Sequence, residues 1–394
     1  MIIADAKTPP AQRIDVKWAA AIGRAVLLFV SLRLLLSLLP LIVTQLFPLA
    51  PPCTAAAPTP VLHSSGIGFP LLGVWQRADA CSYEWIATIG YPSKDERGGE
   101  VAAFFPLYPA LMHLVGALFR LNFTISGFVV SGLAYIAAII GLYRLVCDEY
   151  DEEIAQRTVL YLSIFPSAFF LFAPFTESLF LALVVWTLAF ARRGVWGWAA
   201  LLAFGCGLTR AQGCLLVLPL AWELLQQWRS GHRKWRTLAV PPLPVLGLVA
   251  VTIYTWVTTG WTAFAVQQRW SSGLSLPWNL IIASWRYVLA RGNVVEAINL
   301  GLFVLFSGLV IVGLRKIPFT YTLYVLPQLL LIATRNPFHT PLISTSRYVL
   351  VLFPCFIVLA ILGRRRKVHY VWLVTSAALL TLLFLIFITG PFVA

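Results

Sequence analysis

Charged residues are scarce in this chain. Only 11% of its 394 residues are Asp, Glu, Lys or Arg, whereas 60% are hydrophobic and the mean hydropathy is +0.84. An ordinary soluble domain carries about 25% charged residues. The shortage of charge therefore excludes a soluble enzyme and indicates a membrane protein with several spanning helices.

Several motifs of soluble enzymes are also missing. The five His residues show no HxxxH spacing and no pairing with Cys, so the sequence predicts no metal site. There is no glycine-rich Walker or Rossmann loop that could cradle a nucleotide. The first apolar run, 19–47, is too long for a signal peptide and has no small-residue cleavage site after it, so we expect a spanning helix there. We expect neither a cofactor nor metal dependence.

The basic residues are distributed unevenly along the chain. Eleven predicted spanning helices place seventeen of the 29 Lys and Arg residues on one side, which the positive-inside rule makes the cytoplasmic side. The net charge of +14 is then a topology signal, and we expect no nucleic-acid partner. The spans are predicted near residues 19–47, 124–146, 158–175, 177–191, 194–209, 211–228, 238–258, 297–314, 319–334, 347–363 and 369–390.

One apolar segment, 104–119, is not counted as a span. Counting it would place the two densest basic clusters outside, and it is short, opens with two prolines and carries His113. An interfacial or re-entrant helix fits it better. The prediction is a single all-α membrane domain, 1–394, with a long first extracytoplasmic loop at 48–123 that contains interfacial helices near 74–91 and 104–119.

Three ionisable residues stand at unusual places. Glu177 and Arg210 lie in short polar breaks between apolar arms, so they should lie near membrane depth, where an ionisable group needs a polar cavity or a partner. Asp79 stands near the start of a helix-compatible stretch, 74–91, in the first loop. A carboxylate there can act as a general base. It can equally cap the helix or pair with Arg77, two residues earlier.

Several motifs, taken together and in this order, resemble one enzyme family. They are Arg77, Asp79 and Tyr83, AFFPLYP at 103–109, FPSAFF at 165–170, APFTESLF at 173–180, LTRAQG at 208–213 and SRYVL at 346–350. The set is similar to the mannosyltransferases that add the second mannose in GPI-anchor synthesis, and to their prokaryotic relatives. The likeness covers roughly 75–355. Ala78 departs from it, because the family usually has Trp just before the acid.

The resemblance implies a GT-C glycosyltransferase-like fold and an inverting transfer. The donor would be a polyprenyl- or dolichyl-phosphate mannose, and the acceptor a hydroxyl of a glycolipid or glycan. Asp79 would be the general base. The active site would lie on the extracytoplasmic or lumenal face of a multi-pass protein, in the plasma membrane of a prokaryote or the endoplasmic reticulum membrane of a eukaryote.

The remaining candidate residues each have a structural alternative. Glu177 is a second catalytic candidate or a helix-start acid. Arg210, Arg347 and Arg77 are candidates for the donor phosphate, because guanidinium groups match phosphate oxygens, or they anchor helix ends at the interface. Possible substrate contacts are Tyr83, Gln212, His339 and Arg33, of which Arg33 can instead be a bundle-interior residue and His339 a surface one.

A second class of function competes with the enzyme. A non-enzymatic polyprenyl-phosphate transporter or flippase would also need buried Arg residues. It should have polar residues along the whole crossing path, whereas the polar residues here gather on one side. Of the six Cys, only Cys53 and Cys81 fall in the outer loop, where a disulfide between them is one possibility.

Overall fold

The computed structural model describes residues 10–49, 68–92, 101–231, 234–269, 271–337 and 340–390, and within them it is nearly all helical. The first nine helices are α1 (Pro10–Val43), α2 (Gly68–Leu71), α3 (Asp79–Ile89), α4 (Leu107–Phe119), α5 (Phe123–Glu149), α6 (Glu152–Ser163), α7 (Glu177–Arg192), α8 (Trp196–Thr209) and α9 (Val217–Arg229). The next eight are α10 (Leu243–Thr259), α11 (Ala263–Gln268), α12 (Pro277–Arg291), α13 (Val294–Gly313), α14 (Phe319–Thr334), α15 (Thr345–Leu350), α16 (Phe353–Leu362) and α17 (Arg366–Thr389). Short 3₁₀ segments occupy Gly73–Trp75, Ala168–Leu171, Ala211–Leu216 and Trp235–Ala239.

Several of these helices can cross a membrane, as the composition predicts. Five helical segments of the described chain are long and apolar enough to do so: Trp18–Val43, Phe123–Glu149, Trp235–Thr259, Val294–Gly313 and Arg366–Thr389. Shorter apolar helices, among them α4, α8, α14 and α16, accompany them. The chain is a multi-pass membrane protein.

Two predicted spans are not continuous helices. The span at 158–175 is wrong in this respect: α6 ends at Ser163, and a buried irregular stretch with a 3₁₀ turn continues to α7. Pro166 and Pro174 explain the break, because proline cannot donate to a helix and restricts the residue before it. Irregular backbone at membrane depth is tolerated where protein surrounds it. The span at 347–363 is likewise split into α15 and α16, with Pro354 in the first turn of α16.

The all-α prediction also missed a small sheet. Strands β1 (Ser271–Leu274) and β2 (Arg335–Pro337) pair antiparallel, with Ser271 opposite Pro337 and Leu274 opposite Arg335. The two strands lie in two separate connections, before α12 and after α14. The sheet therefore joins two loops, which the sequence predicts only as two separate outer segments.

Close packing in the centre fixes the ends of α7 and α8. Helix α7 packs on α5 and α8, and α8 packs on α10. At the α8–α10 crossing, a Cβ added to Gly207 would lie 2.1 Å from the Pro244 carbonyl oxygen, so only glycine allows this approach. Because a short turn joins α7 to α8, the start of α7 and the end of α8 lie at the same end of the bundle. We call this the site end.

The opposite end of the bundle, here the far end, has its own ion pairs. Arg192, the last residue of α7, lies 2.9 Å from Glu149 at the end of α5. Tyr321 donates a hydrogen bond to the same Glu149 carboxylate at 2.6 Å. With a rise of 1.5 Å per residue, the 16 residues of α7 separate the two ends by about 24 Å.

Candidate active site

Four charged residues from distant parts of the chain meet at the site end. Arg347 Nη2 lies 2.8 Å from Asp79 Oδ2 and 2.7 Å from Glu177 Oε1. Arg210 Nη1 lies 2.9 Å from the same Glu177 oxygen. We call Asp79, Glu177, Arg210 and Arg347 the charge cluster. All four are residues that the sequence predicts for the site.

The two acids of the cluster differ in exposure. The Glu177 side chain is fully buried, whereas the Asp79 side chain is 24% exposed. Both begin a helix, α3 or α7, where the N-terminal dipole stabilises a carboxylate. Asp79 pairs with Arg347 and does not cap α3, whose N-cap position is Ala78. Asp79 is therefore the acid that an incoming molecule can reach.

The residue before Asp79 has a strained backbone. Ala78 adopts φ +52° and ψ −128°, a region that residues with a Cβ rarely occupy. Such strain is kept only where the surrounding structure imposes it, and it concentrates at functional sites.

Arg210 is held by its immediate neighbours. It follows α8 in an extended conformation, and its Nε donates to Gln212 Oε1 at 3.0 Å. Its Nη1 also lies 3.4 Å from Thr176 Oγ1, one residue before Glu177. Gln212 therefore orients the guanidinium, which makes it a neighbour of the charge cluster through Arg210.

Arg77 points elsewhere, although it precedes Asp79 by two residues. Its guanidinium donates to the carbonyl oxygens of Phe387 and Gly390, the latter at 2.7 Å. Cations at the end of a helix satisfy its last carbonyls and its dipole. Arg77 therefore binds the C-terminal end of α17 and does not lie beside the acids of the cluster.

Arg33 has a structural position inside the bundle. It donates to the Phe172 carbonyl oxygen at 3.2 Å and lies 4.3 Å from the centre of the Phe128 ring. This matches the bundle-interior alternative. His339, the other remote candidate, lies outside the described residues.

Tyr83 lies on α3 one turn after Asp79 and is buried. Its ring makes edge contacts with Phe104 and Tyr108, at centroid distances of 5.3 and 5.2 Å. Burial, and after it the Asp79 carboxylate, raise the pKa of Tyr83, so that its hydroxyl stays protonated. Tyr83 can therefore offer a neutral hydrogen-bonding group next to Asp79.

Two residues that the sequence did not indicate as site residues adjoin the cluster. The centre of the Tyr348 ring lies 5.7 Å from the Arg210 guanidinium and 4.8 Å from the Arg335 guanidinium. Tyr348 thus links a third guanidinium group to the cluster. Its position directly after Arg347 was the signal available in the sequence.

Buried polar residues hold the backbone around Arg347. The Ser346 amide donates to Asn299 Oδ1 at 3.1 Å, and its carbonyl accepts from Ser167 at 2.7 Å. Glu296 accepts from the Leu342 amide at 2.9 Å and from Ser284 at 2.6 Å. Asn299 and Glu296, both on α13, are therefore positioning residues for the segment that carries Arg347.

A second buried acid anchors α3 itself. Glu84 accepts hydrogen bonds from Thr124 and from Gln76 Nε2, the latter at 3.0 Å to Oε2. Gln76 Nε2 also bonds Thr124 Oγ1 at 2.9 Å. These bonds fasten the helix of Asp79 to the start of α5. An acid within an apolar helix was a signal that the sequence reasoning passed over.

Few of the described residues bear on metal binding or disulfide bonding. Within it, no group of three or more His, Cys, Asp or Glu residues lies together in a way that could hold a metal ion. Cys81 is disulfide-bonded, while Cys147, Cys206, Cys214 and Cys355 are free. Cys53 lies outside the described residues.

Comparison with known proteins identifies the family. The family model described as Mannosyltransferase (PIG-V) matches residues 23–240, which include Asp79, Glu177 and Arg210 but not Arg347. No curated protein and no solved structure gives a significant match. Because the family match covers more than half of the chain, the chain belongs to the PIG-V mannosyltransferase family and is a membrane glycosyltransferase.

Proposed function

We propose that the chain transfers mannose from a polyprenyl- or dolichyl-phosphate donor to a hydroxyl of a glycolipid or glycan, with inversion and with Asp79 as general base. One observation carries this proposal: Asp79 is in direct contact with Arg347, so that a base and guanidinium groups suited to a phosphate stand side by side. Transfer from a lipid phosphate needs both.

The proposed reaction uses these groups in one displacement. The acceptor oxygen forms a bond to the anomeric carbon of mannose, and the bond from that carbon to the phosphate oxygen breaks. The electron pair leaves with the lipid phosphate, and Asp79 takes the acceptor proton. Arg210 and Arg347 stabilise the phosphate, whose negative charge rises as it departs.

Charge balance suggests how the donor enters the site. Asp79, Glu177, Arg210 and Arg347 together are neutral, whereas a sugar-phosphate diester carries one negative charge. Arg335, whose guanidinium also lies against the Tyr348 ring, supplies the matching positive charge. When the phosphate takes part of the Arg347 guanidinium, the Asp79 carboxylate is released from this contact and can accept the acceptor hydroxyl instead. Donor binding would then activate Asp79.

Glu177 has a different proposed part. Its Oε1 accepts hydrogen bonds from Arg210 Nη1 and Arg347 Nε and also lies 2.7 Å from Arg347 Nη2, while its Oε2 is buried with no hydrogen-bond partner among the described residues. A buried acceptor without a partner is costly and usually has a function. We propose that Oε2 accepts a hydroxyl of the sugar or acceptor when the site is occupied.

The transporter alternative is disfavoured. The family is one of enzymes, and the charge cluster lies at one end of the bundle rather than along a crossing path. The far-end acids and arginines pair with one another, as Arg192 does with Glu149. We therefore retain the enzyme.

Product analysis tests the proposed function. Purified protein is supplied with polyprenyl-phosphate mannose and a membrane lipid extract, and products are analysed by mass spectrometry. We expect an acceptor whose mass increases by one hexose, with release of polyprenyl phosphate. Movement of intact donor across vesicles without any hexose transfer would favour the transporter instead.

The proposed topology has eleven spans with the site end outside the cytoplasm. In a variant without the four free cysteines, a cysteine at Asn279 should react with a membrane-impermeant thiol reagent added outside, because α12 lies in a proposed outer loop. A cysteine at Ser230, after α9, should react only once the membrane is opened. The reverse labelling pattern would put the site end in the cytoplasm.

Arg210 should be sensitive to a change that keeps its charge. Arg210→Lys loses the planar donor set that now reaches Glu177 and Gln212, so we expect transfer to fall at least about tenfold, with a weaker donor affinity. Arg210→Gln should be worse, because the phosphate charge is then less compensated. Initial rates and donor titrations measure both.

Arg286→Lys is the matched control, because Arg286 is exposed on α12. It should retain full activity. An Arg210→Lys enzyme with unchanged rate and donor affinity would remove Arg210 from the phosphate site and leave it as an interface anchor.

A further inference from the structure

A second polar site lies at the far end of the bundle. A cleft of about 340 Å³ opens between α1, α6 and α17. This volume falls within the usual range for ligand pockets. Its lining includes Arg24, Arg157, His369, Leu27, Leu28 and Leu160.

The cleft has a charged mouth and an apolar interior. Arg24 lies about two turns into the candidate membrane span Trp18–Val43 of α1 and contacts Glu152, the first residue of α6. Leu27 and Leu28 follow on α1, and Leu160 follows Arg157 on α6, so the apolar residues lie about 5 Å deeper along the bundle. A ligand with one charged end and one apolar end matches this arrangement.

Arg157 has an unused donor at the cleft. Its Nη2 donates to Glu153 Oε1 at 2.6 Å, but its buried Nη1 has no hydrogen-bond partner among the described residues. A buried N–H without a partner indicates a missing acceptor. Arg24 lies 3.5 Å from Glu152 and Arg157 lies 2.6 Å from Glu153, so each arginine of the cleft already has one acid beside it, and the excess positive charge that favours a phosphodiester comes from the exposed basic residues just before His369.

The surroundings favour a lipid over a soluble phosphate. Arg364, Arg365, Arg366 and Lys367 are exposed just before His369 and attract anionic headgroups. Leu27 is 65% exposed and continues into a row of exposed apolar residues on α1, including Leu34 and Leu38. Acyl chains can lie along this row while the headgroup enters the cleft.

We propose that the cleft between α1, α6 and α17 binds the phosphodiester headgroup of an anionic membrane phospholipid, with Arg24 and Arg157 as its ligands. This site is separate from the charge cluster and does not depend on the proposed donor or acceptor. Arg157 Nη1 donates to a phosphate oxygen, and the Leu side chains contact the glycerol and the first part of the acyl chains.

Lipid titration followed by native mass spectrometry tests this site. The full chain is delipidated in neutral detergent and titrated with phosphatidylglycerol or phosphatidylcholine. We expect one phosphatidylglycerol to be retained in preference to phosphatidylcholine. Its apparent affinity should fall at least about tenfold in the Arg24→Gln/Arg157→Gln variant, because two charge-assisted contacts are lost. An Arg229→Gln/Arg236→Gln control removes two exposed charges outside the cleft and should bind as the unmodified chain does.

Two further arms keep the result decisive. Leu27→Trp fills the cleft but leaves every charge in place, and it should also weaken retention; its exposed position makes it a safe variant if the double change fails to fold. Inorganic phosphate should not displace the lipid. Equal binding of the two lipids, unchanged binding in both cleft variants, or displacement by inorganic phosphate would overturn the proposal.

Discussion

Asp79→Asn should reduce mannosyl transfer by about 100- to 10,000-fold, the range typical of a lost general base. The amide keeps the size of the side chain and can still accept a hydrogen bond from Arg347, which now lies 2.8 Å from Oδ2. What it loses is the ability to take the acceptor proton. Donor affinity should be retained or should increase, because the proposed phosphate ligands are unchanged and a neutral Asn competes less with the phosphate for Arg347. Single-turnover rates and donor titrations separate the two effects.

Asp148→Asn provides the matched control for this change. Asp148 is an acid paired with an arginine, Arg193 at 2.5 Å, but it lies at the far end of the bundle. Its amide variant should retain activity. Transfer by the Asp79→Asn enzyme within a few-fold of the unmodified enzyme would assign Asp79 to positioning Arg347 and would require another base.

The sequence predicted site residues best where an ionisable residue stands within an apolar run. Glu177 and Arg210 were predictable because ionisable residues within apolar runs need partners, and the structure places them 2.9 Å apart. Their common end of the bundle followed from the short connection between α7 and α8. Asp79 stood out in the first loop as a possible general base and the family resemblance supported that role, but no local pattern could have paired it with Arg347 across 268 positions.

The sequence was less informative about which neighbours a side chain contacts and about where a helix is interrupted. Arg77 and Asp79 are two residues apart, yet their side chains serve different neighbours, because Arg77 finds the open carbonyls at the end of α17. Hydropathy alone could not show that 158–175 breaks after Ser163, since the irregular part is as apolar as a helix. The prolines were the only warning.

Supporting residues were the hardest to predict. Glu84 and Glu296 look like isolated acids in the sequence, and only the fold shows that one anchors α3 and the other anchors the segment before Arg347. Their partners are backbone amides, hydroxyls and an amide side chain rather than cations. Such contacts have no charge pattern that a single sequence reveals.

Glu177→Gln should destabilise the protein most among changes at the site. Glu177 is fully buried and accepts hydrogen bonds from Arg210 and Arg347, so neutralising it leaves two arginines to share Asp79. Breaking a buried ion pair by removing one partner costs about 3–5 kcal/mol. We expect a clearly lower apparent unfolding temperature in detergent, together with weak transfer because Arg347 is no longer held.

Glu223→Gln is the comparison that makes this result specific. Glu223 is also a buried acid, but its arginine, Arg192, lies 4.0 Å away and keeps Glu149 at 2.9 Å. Its loss should therefore cost much less than that of Glu177. Adding Arg210→Gln to Glu177→Gln restores the charge balance and should recover part of the lost stability, since residues in one ion-pair network do not act additively. Equal and small shifts for both acids, with no recovery in the double variant, would mean that the charge cluster contributes little to folding and that Glu177 is retained for substrate binding alone.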